Sequence, residues 1–354
     1  MYLASKTSHV PHHRARLIAI MTSSGSEEIV ALPTPSQNQV YVTISALEGG
    51  HLTLPESLFV TPADPEKRST VPSLSFLIQH PPSVPTLGRN PKTTKLIFDL
   101  GLKRDLSGYR EAQQHHIAQR QPTTVSPDVA ESLRHGSLPP SDIDVVILSH
   151  VHWDHVGTPS DFPNAEFVVG NGTLHLLAHG GGPLYPAALF NADELPPGRT
   201  RELPPVTESK DFASHTRVTD HTWRPLAGFP AAIDFFGDGS LYMVDAPGHL
   251  HGHVNVLART APGRWVYLGG DCCHDKRILS GEREIALYDD GRGGLRSVHM
   301  DTDGAVRTVE RVRRLLGEGK VREEGGGSVA VEVVVAHDGG WGQRNKGRFW
   351  PGML

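Results

Sequence analysis

Cysteine is nearly missing from this chain: its 354 residues hold two, Cys272 and Cys273, side by side. Adjacent thiols build no long-range disulfide framework, so a packed core has to hold the fold. A reducing, cytoplasmic setting is expected. Long apolar runs are missing too. None approaches the roughly 18 residues that a membrane-spanning helix needs, and no membrane partner is expected. Positive charge is in deficit, with 34 Lys and Arg against 39 Asp and Glu and a formal net charge of −5. The basic footprint of a phosphate-gripping protein is therefore absent, and no nucleic-acid partner is expected. Acidic residues are lacking up to residue 25, where the longest apolar run is residues 17–21, too short for a secretory core. Residues 1–35 are expected to be a disordered or poorly structured leader, with a transit peptide as the other reading. Residues 36–354 are expected to form a single domain.

What the chain has in quantity is glycine (37), proline (28) and histidine (21). The first two imply many turns and long loops. Histidine titrates near neutrality and is the commonest metal ligand, so its distribution matters more than its number. Short apolar or alternating runs at residues 40–45, 73–79, 95–100, 144–149, 166–169, 241–244, 254–257, 265–268 and 329–335 predict strands. Helical spacing is weaker, at residues 128–135, 171–178 and 302–316. Loops at residues 180–208 and 279–296 are long and glycine-rich, the kind of segment that carries substrate contacts. Strands with helices between them and no clear linker imply one layered α/β domain.

One stretch carries chemistry. His150, His152, Asp154 and His155 fall within six residues, directly after the apolar run 144–149. Imidazole nitrogens and carboxylate oxygens are what zinc-like ions take. His150 and His152 are two apart, so on an extended backbone they point the same way. Gly157 permits an unusual backbone path. The plainer alternative is a histidine-rich loop without metal, but four such groups at a buried strand end are costly without a cation.

The pattern His150-x-His152-x-Asp154-His155 resembles the signature of the metallo-β-lactamase superfamily. Pro247, Gly248 and His249 resemble its next histidine motif, Gly269, Gly270 and Asp271 its bridging aspartate, and Ala336, His337 and Asp338 its final histidine. The ordered match runs over residues 71–338. The resemblance implies an αββα four-layer sandwich with the site at one edge of the sheets. It implies one metal on His150, His152 and His249, a second on Asp154, His155 and His337, and Asp271 bridging them. Two divalent ions, Zn2+ in first place, would then activate a bridging hydroxide that attacks a lactone or ester carbonyl of a small-molecule substrate. Asp154 would also help manage the proton.

Around these residues the resemblance has detail and departures. Asp99 resembles the family's early acidic residue that orients the ligand loop. His253 resembles a structural histidine, while Leu250 and His251 replace the usual threonine and proline. Where lactonases of this kind place a ring-opening tyrosine, three residues after the bridge, this chain has His274, a candidate proton donor to the leaving oxygen or else a surface histidine. Cys272 and Cys273 read as buried thiols, and Trp153 as a pocket wall. The remaining histidines, His116 and His299 among them, show no usable pattern. A branch similar to the N-acyl-homoserine lactonases fits the full ligand set best. A thioesterase resembling glyoxalase II or the polyketide-releasing thioesterases is the alternative, with Lys346 and Arg348 as candidate contacts. A mononuclear iron sulfur dioxygenase or a non-catalytic metal-binding protein is the reading from another class.

Overall fold

The computed structural model describes residues 30–82, 92–206, 218–317 and 321–354. Two six-stranded sheets dominate it. The first contains β1 (Thr43–Pro55), β2 (Arg68–His80), β3 (Thr94–Phe98), β4 (Val145–Ile147), β5 (Glu166–Val169) and β6 (Thr200–Glu202), side by side in chain order. Pairing is antiparallel from β1 to β3 and parallel from β3 to β6. The second sheet contains β7 (Arg224–Leu226), β8 (Phe229–Asp234), β9 (Leu241–Asp245), β10 (Val254–Ala261) and β11 (Arg264–Leu268), all antiparallel. β12 (Ala330–Val334) adds to β11 in parallel.

Alternation along the strands divides the core. Leu96 and Phe98 of β3, Val254 and Val256 of β10, and Val266 and Leu268 of β11 pack in one cluster between the sheets. Their neighbours point outward: Ile97 joins Leu133, Leu176 and Leu177 on one side, and Leu257 and Tyr267 join Val309 and Val312 on the other. Both faces of each sheet are therefore buried, which explains why these runs read as continuous hydrophobics. Full burial of one such side chain is worth about 1.5–3 kcal/mol.

The outer layers are helical. α1 (Glu111–Ala118) puts Ile117 in one cluster with Leu52 and Leu54 of β1, and α2 (Val129–His135) and α3 (Thr173–His179) cover the first sheet. α4 (Lys276–Ser280) and α5 (Thr302–Arg313) cover the second, and α6 (Gly339–Arg344) follows β12. α5 starts where the Asp301 carboxylate accepts the Gly304 amide at 2.9 Å, and it buries Ala305, Val309 and Val312. The result is the αββα sandwich.

Two stretches do not read as strands in the sequence. Residues 1–29 of the expected leader lie outside the described residues, but Val30–Leu32 forms a strand parallel to Val321–Glu323. β7 and β8 were not legible as strands: Pro225 and Pro230 interrupt their pattern, and the ladder slips between Phe229 and Ala232. Among the described residues no helix is long and apolar enough to cross a membrane.

Candidate metal centre

Five strands end at the same edge, and each end delivers a polar side chain. β3 runs into Asp99, β4 into His150, β9 into His249, β11 into Asp271 and β12 into His337. The loops that follow bend sharply. Gly248 has φ 128°, and a Cβ there would sit 2.1 Å from the Ala305 amide nitrogen, so only glycine lets α5 pack beneath His249.

The seven expected ligands come together in two groups that share one carboxylate. In the first, His150 Nε2 lies 3.0 Å from His152 Nδ1 and 3.2 Å from His249 Nε2, and the last two are 2.9 Å apart. Such a triangle is close to one face of a tetrahedron whose centre-to-nitrogen bonds are roughly 2.0–2.1 Å, the zinc–imidazole length. In the second group, His337 Nε2 stands 3.5 Å from an Asp154 carboxylate oxygen. Asp271 lies between them. Its Oδ2 faces His249 at 3.5 Å and His150 at 3.8 Å, and its Oδ1 is 3.2 Å from both His155 Nε2 and His337 Nε2.

Second partners fix which nitrogen each ring presents. His337 Nδ1 donates to the Pro72 carbonyl at 2.8 Å, which turns Nε2 inward. His155 Nδ1 donates to Asp99 Oδ2 at 2.9 Å, with the same result. Ser149 Oγ donates to that carboxylate at 2.8 Å, so it is free to accept from His150 Nδ1 at 2.9 Å. One carboxylate thus sets two rings, and it does so from a left-handed backbone position, φ 63°. His253 Nδ1 donates to the Ala246 carbonyl, and its Nε2 accepts the Asp271 amide at 3.2 Å, the structural part expected for it. His155 Nε2 and Asp271 Oδ1 are buried with no hydrogen-bond partner. Inward-facing ring nitrogens that converge, together with orphaned buried atoms, fit bound cations.

Electrostatics divide the groups. Burial holds the His150 and His249 imidazoles well below their usual value and puts His152 at about 4, the neutral state that a metal takes. Burial also acts on His155, but the carboxylates of Asp271 and Asp99 outweigh it and hold that ring well above. His337 is raised in the same way by Asp271. Asp271 is itself disfavoured as an anion by burial, yet His337, His155 and His274 bring it well below the ordinary carboxylate range. The histidines of the first group are held neutral, whereas carboxylates draw those of the second toward the charged form.

A cavity of about 430 Å³ opens over this floor. His152, Asp154, His249, Asp271, His274 and His337 line its base, and Leu52, Leu54, Phe59 and Trp153 form apolar wall. The expected pocket loops contribute Leu184, Tyr185, Leu189 and Phe190 from one and Tyr288 and Arg296 from the other. His274 is no surface histidine: its Nε2 is 3.0 Å from Asp271 Oδ2, and the Phe59 ring lies against it at 4.6 Å. Cys272 and Cys273 are free and buried. Lys346 and Arg348 do not line the cavity, and Arg348 is forked onto Glu332 at 2.6–2.7 Å. His299 was missed: buried, it places Nδ1 3.1 Å from His249 Nδ1. No spacing in the sequence links it to the motif, because only the packing of the segment before α5 brings it there.

No family model matches the chain. The chain is 31% identical over 325 residues to the cytochrome P450 monooxygenase mpaDE of Penicillium brevicompactum, a match covering 86% of this chain and 34% of that protein. It spans 32–34% of the length of three such Penicillium relatives. It is 32% identical over 183 residues to the γ-lactamase MBL2 of Gibberella moniliformis, covering 51% of this chain and 70% of the relative. Among solved structures, an AiiA variant of B. thuringiensis with N-decanoyl-L-homoserine bound superposes with a TM-score of 0.56 at 15% identity, over 89% of this chain and 100% of that one. At that identity the likeness speaks for the fold.

Proposed function

The chain belongs to the metallo-β-lactamase superfamily, and from that premise we propose that it is a hydrolase that holds two divalent ions, Zn2+ in first place, and opens a small lactone or ester. The observation that carries this reading is the Asp271 carboxylate, with one oxygen toward each group of ligands. His150, His152 and His249 would hold one ion, and Asp154, His155 and His337 the other. When bound, the ions supply the acidity that deprotonates water near neutrality and polarises a carbonyl oxygen.

The chain's own residues supply the rest. Asp271 fixes the spacing of the two groups, and Asp99 keeps His155 and His150 in the tautomers that face inward. Asp154 lines the cavity beside His337 and accepts the proton released at the site. His274 is held between Phe59 and Asp271 with its ring edge in the cavity, where it donates a proton to the leaving oxygen. Apolar walls seat the body of the substrate and exclude water from it. A cyclic amide is the second reading, supported by the γ-lactamase relative, whose scissile bond needs the same protonation of a leaving atom.

Elemental analysis of the purified protein, paired with pH-stat assays on lactones, esters, thioesters and γ-lactams, tests the proposal. Two ions per chain with acid release from a lactone or ester is the expected result. Cleavage of thioesters alone would move the chemistry to thioester hydrolysis. One iron per chain, or no metal and no acid release, would end the dinuclear reading.

A further inference from the structure

The rim of the cavity holds two cations that this hydrolysis does not use. Arg120 follows α1 and is 8% exposed. Arg296 lies opposite Tyr288 in a short antiparallel ladder, its guanidinium carbon 4.9 Å from the centre of that ring. Both line the cavity along with Asp154 and Asp271. Arg277, by contrast, is paired with Asp275 and Glu56, and Arg348 with Glu332. Among the described residues neither Arg120 nor Arg296 forms an ion pair, and Arg296 Nε is buried without a hydrogen-bond partner.

Tyr288 lines the same cavity as both cations. Burial raises the Tyr288 phenol, and both Arg296 and Arg120 draw it back. The carboxylate that acts on Arg120 is that of Asp154, which the second metal group employs. Desolvated guanidinium groups without a counter-charge are costly, and the fork of arginine matches a planar carboxylate. The lining that the pair shares includes the apolar side chains of Leu52, Leu54 and Leu189.

We propose that Arg120 and Arg296, beside Tyr288, form a subsite for a carboxylate that the substrate carries away from its reacting carbonyl, so that the substrate class is an acidic lactone or ester with an apolar body. The reacting end of this assignment rests on the hydrolase reading; the carboxylate subsite rests on the two arginines alone.

Calorimetric titration of the purified, metal-containing protein with benzoate and with benzamide separates the two. Benzoate should bind about 10- to 100-fold more tightly, the scale of a charge-assisted hydrogen-bonded pair. Arg296→Gln should remove most of that preference, and the Arg120→Gln/Arg296→Gln double variant all of it, with metal content unchanged. Arg296 lies on the rim, so its single variant decides the matter should the buried Arg120 prove necessary for folding. Equal binding of the two probes by the native protein overturns the subsite. So does a preference that survives in the variants, because the carboxylate is then held at the metal centre. Hydrolysis of a lactone bearing a remote carboxylate in preference to its methyl ester extends the result to substrate. Failure to hydrolyse either, with the benzoate preference intact, sinks the hydrolase reading and leaves the subsite standing.

Discussion

At the floor of the cavity most ligand rings have a second partner: His337 the Pro72 carbonyl, His155 the Asp99 carboxylate, His150 the Ser149 hydroxyl, His249 the His299 ring. At the rim, Leu184 is 41% exposed, and Tyr288 and Arg296 are carried by a two-residue ladder. The floor grows from five strand ends inside a double-faced core, and the rim from loops and the end of α1. Chemistry that tolerates little displacement is built on the rigid frame, and recognition is left to segments that vary without disturbing it.

The contrast can be broken from the floor upward. Asp271→Ala removes the one carboxylate shared by both groups, and kcat/KM on the best lactone or ester should fall by about 10³-fold, the upper scale for losing an electrostatic partner of the transition state. Metal content should fall below two per chain by elemental analysis, and full activity with two ions would refute the shared bridge. His274→Phe should lower turnover by about 100-fold with metal retained, as for loss of a general acid. A loss of metal instead would place His274 among the ligands. Asp99→Asn keeps the shape and tolerates the left-handed backbone but presents a weaker acceptor to His155, and metal affinity should drop by at least about 10-fold in a chelator competition titration. An unchanged affinity would detach Asp99 from the site. Leu184→Ala, at the exposed rim, should change KM by less than about 3-fold and leave metal content alone. A large loss of metal there would erase the difference between floor and rim.

Part of the floor was legible from local rules: His150, His152, Asp154 and His155 follow one apolar run. His249, Asp271 and His337 were marked by the resemblance to the superfamily's ordered motifs, each after an apolar run. β3, β4, β10 and β11 were legible because both faces are buried, and the run shows. β7 and β8 were not, with prolines in the pattern and a slipped ladder. The arginines of the rim gave no sign either. Arg120 and Arg296 are far apart in the chain and look like ordinary surface charges until the fold brings both to the cavity lining.

The sequence, read with its family resemblance, named a candidate donor set and its order along the chain, and by itself it implied the layered α/β character. Only the tertiary structure decided which nitrogen of each ring faces inward, that His299 backs His249, and which cations line the cavity. The reason is physical. A donor's identity is a property of its own side chain, whereas its tautomer, burial and counter-charge come from partners distant in sequence, as with His337 and the Pro72 carbonyl 265 residues away.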